Sequence, residues 1–219
     1  MAAPLWEVSL PERGARSSSW PRPRAVLSVT SESHGSEELR IPVAVGRRLA
    51  ARGDELSPGS RAELLHLLAE EERSCGRLRV EELVGRRDFS AAELERRLRE
   101  EGYPTGVSAE LVGRARECGL VDDARFGAAF ARSKVAAGWG RARIECELER
   151  RGVSPDVVEG WPEEFVSADE ERERALALAS RRRLTGSNDY ARIVRFLCGR
   201  GFSPSLSCDV AREVVDAAR

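Results

Sequence analysis

Six residues in one 31-residue stretch have side chains suited to gripping an anion: Arg125, Arg132, Lys134, Trp139, Arg141 and Arg143, within "DDARFGAAFARSKVAAGWGRARIECELERRG" (122–152). Guanidinium groups match carboxylates and phosphates in a two-pronged geometry. A helix start adds backbone N–H groups and a positive dipole end. The stretch holds seven basic and five acidic residues, whereas 61–121 holds 11 basic and 13 acidic and 153–219 holds 10 and 12. It is the positive part of a chain whose net charge is −1. Two readings of Gly138-Trp139-Gly140 stand side by side. The indole packs against the preceding helix across a tight turn, or the turn presents Arg141 and Arg143 to a partner.

Catalytic chemistry finds little material. The two histidines, His34 and His66, fall in a turn and on an early helix. No G-x-x-x-x-G-K-[ST], H-E-x-x-H or G-x-S-x-G motif occurs. The five cysteines, Cys75, Cys118, Cys146, Cys198 and Cys208, are odd in number and form no C-x-x-C pair. That speaks against a disulfide framework and against zinc, and predicts reduced, mostly buried thiols. Carboxylates alternate with arginines, as on solvated helix faces. The expectation is a non-enzyme with no metal and no cofactor.

Charged residues make up 33% of the 219 and apolar ones 41%, a soluble composition that can still bury cores. No apolar run is long enough to span a membrane, and the N-terminus lacks a signal-peptide core, so a cytoplasmic location is expected.

The elements that must position these residues are legible from spacing. Residues 1–23 read as a disordered tail rich in Pro, Ser and Arg. A β-hairpin-like segment comes next: "RAVLSVT" (24–30) is one strand and "ELRIPVAV" (38–45) returns, with Pro42 at an edge. A helix capped by Ser60 and Glu63 carries Leu64, Leu65, Leu67 and Leu68. From about residue 78 the pattern is helical and periodic. "LERRLREEGY", "IECELERRGV" and "IVRFLCGRGF" share [LI]-x3-L-x3-G-[YVF], with glycines at 102, 152 and 201. Each glycine is read as a left-handed C-cap, and the residue after it folds back onto the apolar stripe. Each repeat needs three helices. The leading ones are expected at 79–87, 123–136 and 169–183, the middle ones at 91–101, 141–151 and 189–199, and the closing ones at 108–118, 155–165 and 204–217. Ser90, Ser108, Asp122, Ser154 and Ser203 are the predicted N-caps. Phe126, Ala129 and Phe130 are the predicted buried face of the second leading helix. The predicted fold is all-α: an elongated array of three tandem three-helix repeats (75–121, 122–166, 167–219) behind a β segment plus helix (24–74).

"GLVDDARFGAAFARSK" joined to "GWGRARIECELERRGVS" resembles the RecX family of recombination regulators, as do "LERRLREEGY" and "RFLCGRGFSP". The likeness spans about residues 75–216. It implies tandem three-helix repeats without catalytic activity. It also implies binding, as a monomer, to the RecA filament on single-stranded DNA, whose activities the protein would restrain; some members contact DNA directly. Arg125, Arg132, Lys134, Trp139, Arg141 and Arg143 become the expected partner contacts. The alternative is a helix-turn-helix-like DNA-binding regulator that acts without RecA.

Overall fold

The computed structural model describes residues 3–12, 22–32, 34–53 and 55–218, in two compact units, 1–121 and 122–219. Unit 1 opens with an antiparallel sheet in the order β1 (Leu5–Ser9), β2 (Ala25–Ser31), β3 (Gly35–Ile41). Leu5 lies opposite Thr30, and Ala25 opposite Ile41. Strand alternation turns Ala25, Leu27 and Val29 of β2 into the core. The hairpin is therefore a three-stranded sheet, and its extra strand comes from the stretch read as tail. Residues 13–21 of that stretch lie outside the described residues.

The returning strand is shorter than expected. It ends at Ile41, and Pro42 is the N-cap of α1 (Val43–Ala51), where Val45 and Leu49 are buried. A proline in front of a helix loses no helical hydrogen bond, which reconciles "PVAV" with a helix. Next, α2 runs unbroken from Arg61 to Val84, absorbing both the Ser60-capped helix and the first leading helix. Its interior Gly76 is a packing notch: a Cβ there would fall 2.3 Å from Leu111 of α4 (Thr105–Glu117). Ser90 caps α3 (Ala91–Glu100) by accepting from the Glu93 amide. Ser108 is not a cap. Pro104 precedes α4, and Ser108 sits buried in its first turns, where its hydroxyl donates to the Tyr103 carbonyl at 3.4 Å.

In unit 2, Asp122 caps α5 (Asp123–Ala136), and α6 (Arg141–Arg150) comes after it. The closing helix expected at 155–165 is absent. Ser154 and Pro155 start only a 3-10 turn, Pro155–Val157, because Gly160, at φ +75°, and Pro162 interrupt the residues beyond it. A full capping box of Ser167 and Glu170 opens α7 (Ala168–Ser180). Then come α8 (Asp189–Gly199) and α9 (Pro204–Asp216), the latter capped by Ser203.

The three middle helices end identically. Gly102, Gly152 and Gly201 adopt φ of +102°, +77° and +91°. The next residue, Tyr103, Val153 or Phe202, donates its N–H back to Leu98, Leu148 or Leu197 at 3.1, 3.0 and 3.2 Å. Those three side chains are buried against the stripes Leu94–Leu98, Ile144–Leu148 and Ile193–Leu197, all at most 4% exposed. Each buried side chain of this size contributes about 1.5–3 kcal/mol. The five thiols are free, as expected, but they are not mostly buried: Cys75 is buried, Cys208 half-buried, and Cys118, Cys146 and Cys198 exposed. Cys146 lies two residues past buried Ile144, on the far side of α6.

Candidate functional site

The second repeat's corner starts as a helix terminator. Gly138 takes φ +76°, and the Trp139 N–H returns to the Lys134 carbonyl at 3.0 Å. Gly140 then brings α6 against the end of α8. Its N–H donates to the Arg200 carbonyl at 2.8 Å, and the Ala142 N–H donates to Gly201 at 3.2 Å. A Cβ on Gly140 would fall 2.4 Å from the Gly201 carbonyl group. The Arg141 N–H donates to the Glu171 carboxylate at 2.9 Å. Three amides of the α6 start are thus spent within the protein. The positive end of one helix meets the negative end of another, plus a carboxylate. Two side chains lock the seam: Arg143 Nη1 donates to the Gly199 carbonyl (3.2 Å) and Arg200 Nη1 to Ala137 (3.4 Å).

Around this corner cations stand on aromatic rings. The Arg143 guanidinium lies 3.9 Å from the Trp139 ring centroid. The Lys134 ammonium is 5.1 Å from both Trp139 and Phe130, and Arg151 is 4.9 Å from Phe130. Phe130 meets Trp139 edge-on (6.4 Å, 83°) and stacks with Phe126 (6.3 Å, 10°). In the third repeat, Arg200 and Arg182 lie 5.0 and 4.7 Å from the Phe196 ring. Such contacts are worth about 0.5–1 kcal/mol at exposed sites, and they fix where the charge sits.

Of the six expected contact residues, Lys134, Trp139 and Arg143 therefore form one cluster. Arg141 and Arg132 take the other flank of the core. Arg141 Nε pairs with Glu145 at 2.7 Å, and Trp161 Nε1 donates to the same carboxylate at 3.1 Å. Arg132 lies 5.1 Å from Phe165, which tilts against Trp161. Arg125 is exposed at the start of α5, its amide bonded to Asp122. The packing reading of Trp139 holds: it is half-buried against Phe130, and the Arg143 guanidinium stands on its ring. The predicted buried face of α5 shifts: Ala129 is exposed, Phe130 half-buried, and Phe126, Gly127 and Ala131 are buried.

Reading the sequence missed Phe130 as a cation platform, and it missed Arg151, Arg182, Phe196 and Arg200. Arg151 shares a stripe with Arg143 at helical spacing. Arg200 had no local signal, because only the seam brings it near. Electrostatics on α6 are tuned locally: hydrogen bonds from Arg150, reinforced by Arg151, hold the Glu147 carboxyl down to about 2. Among the described residues, no group of three or more His, Cys, Asp or Glu could hold a metal. No helix among them is long and apolar enough to cross a membrane.

Comparison with known proteins agrees with this architecture. Residues 122–160 match the family model described as "RecX, second three-helix domain". The chain is 36% identical to Regulatory protein RecX of Mycobacterium avium over 144 residues, which cover 63% of this chain and 83% of that protein. It is 37% identical to the Chromohalobacter salexigens protein of the same name over 122 residues, 55% of this chain and 80% of the relative. A crystal structure of regulatory protein RecX superimposes with a TM-score of 0.59 at 14% identity, covering 99% of this chain and 100% of that one. RecX from Lactobacillus salivarius gives 0.57 at 16% identity over 66% of this chain and 97% of its own. On this sequence identity and coverage, the chain belongs to the RecX family of regulatory proteins.

Proposed function

We propose that this protein binds the RecA filament on single-stranded DNA and restrains its recombinase and ATPase activities by non-catalytic contacts, as a cytoplasmic monomer. The observation that carries the reading is the Lys134–Trp139–Arg143 cluster, held on the seam between the second and third repeats of a RecX-family chain. A rim of fixed cations suits a partner rich in acidic groups. Arg125, Arg132 and Arg141 extend the proposed contact set on the flanks of α5 and α6. Tandem repeats touching successive protomers of a polymer would gain affinity through multivalency. The helix-turn-helix alternative is not favoured, because the α6 start, its natural groove-entering end, is already spent on Arg200, Gly201 and Glu171. The test is RecA-dependent ATP hydrolysis on single-stranded DNA with stoichiometric protein. Inhibition that weakens on charge reversal of Arg143, with helicity retained, supports the proposal. An unchanged rate rejects it.

A further inference from the structure

Unit 1 holds a cavity of about 430 Å³ that shares no residue with the cluster assigned to the partner. Four arginines contribute to its wall from four parts of the chain: Arg22 ahead of β2, Arg47 on α1, Arg79 on α2 and Arg97 on α3. Carboxylates line it as well, and two of them are already taken. Glu101 accepts from Arg79 through Nε (2.8 Å) and Nη2 (2.6 Å), and Arg97 Nε lies 2.8 Å from it. Glu82 accepts from Arg79 Nη1 at 2.6 Å. The remaining one, Glu12, is exposed.

Donors are left over after these bonds. Among the described residues, Arg47 makes no hydrogen bond or ion pair, and Arg97 offers only its Nε to Glu101. Tyr103 is 4% exposed, and its hydroxyl meets no hydrogen-bond partner among the described residues. Burial pushes that phenol above its usual range, so it keeps its proton and can donate. The start of α1 lines the same space through Val43 and Ala44, with no side-chain cap and no acidic residue in its first turn. A buried donor without an acceptor is costly, so this wall suits a ligand that brings acceptors. A carboxylate brings two oxygens to one point, whereas each phosphate group brings three, and linked phosphates can face donors on separate elements. The volume falls in the usual small-molecule range of about 300–1,000 Å³. We infer that this cavity binds a small compound carrying two or more linked phosphate groups, with Arg47 and Tyr103 donating to it. The ligand bridges α1, α2 and α3, so it stabilises unit 1 when bound.

The test is isothermal titration calorimetry with the full chain, without RecA or DNA, using inorganic pyrophosphate, orthophosphate and succinate as probes. Pyrophosphate is expected to bind one to one and to raise the melting temperature. Orthophosphate should bind about tenfold more weakly, the worth of one charge-assisted contact. Arg47→Gln removes a cation at an exposed position, and Tyr103→Phe removes the donor while keeping the buried ring. Each should weaken pyrophosphate binding about tenfold, with helicity retained by circular dichroism. No heat and no melting shift at millimolar pyrophosphate would overturn the inference. Equal affinity for succinate would overturn the assignment to phosphate. Unaltered binding by the two variants combined would remove the cavity from consideration. Binding that falls with Arg143→Gln and not with Arg47→Gln would place the anion on unit 2 and overturn it as well.

Discussion

The second and third repeats begin their last limb with nearly the same words, "VSPDVV" and "FSPSLS", and finish it differently. In the third repeat Ser203 and Pro204 launch α9, whose Val210, Ala211 and Val214 close a core with Ala175, Ala179, Ile193, Leu197 and Phe202. In the second, Ser154 and Pro155 launch one 3-10 turn, and the core is closed by Val158, Phe130, Trp139, Trp161 and Phe165. A cap decides where a helix starts, and the residues downstream decide whether it continues. Bulky rings replace a helix where Gly160 and Pro162 forbid one. Among those rings, Phe130 also holds Lys134 and Arg151, and Phe165 holds Arg132.

The seam is the strongest test of this contrast. Gly140→Ala places a Cβ against the Gly201 carbonyl group and should cost about 3 kcal/mol. Gly199→Ala, with nothing within 4 Å, should cost nothing. Urea denaturation midpoints of the two variants compare them directly. If both leave the midpoint unchanged, the second repeat stands without the third. Next in size is Val158→Ala, at a site 3% exposed, expected to lower stability by roughly 2 kcal/mol because no helix backs the cavity. Ser203→Ala should cost about 1 kcal/mol through loss of the α9 cap, and Ser154→Ala only a few tenths, since a single turn depends on it. Equal losses in thermal melts would mean the two limbs are energetically alike. The smallest effect is electrostatic. The Glu147 carboxyl sits at about 2, below its usual value near 4.5, so its pairing stabilises the fold above pH 4.5 and is lost as pH falls toward 2. At this part-buried, surface-paired site, Glu147→Gln should cost under about 1 kcal/mol at pH 7 and nothing at pH 2, read by melting at both pH values.

The features legible from the amino acids are the local ones. Ser60, Ser90, Asp122, Ser154 and Ser203 cap where their spacing predicts, and the three glycine terminators take the predicted left-handed form. Tertiary contacts overrode the rest. Gly76 sits in mid-helix because Leu111 fills the notch it leaves. β1 is five residues long and gains its place from pairing with β2. Trp139 and Arg143 were both in the expected contact set, but their stacking, and the arrival of Arg200 and Phe196 beside them, come from the folded seam.

Main-chain groups make the principal bonds of that seam: the amides of Gly140 and Ala142 to the carbonyls of Arg200 and Gly201. Any residue but proline supplies an amide, and every residue supplies a carbonyl. Provided the glycines at the point of closest approach persist, side chains other than the two arginines that cross the seam can be exchanged without loosening the joint. A fastening of this kind is inherited as shape, and it can outlast the spelling of the chain. The overall fold is likewise recognisable in crystal structures that are only 14% and 16% identical where they align.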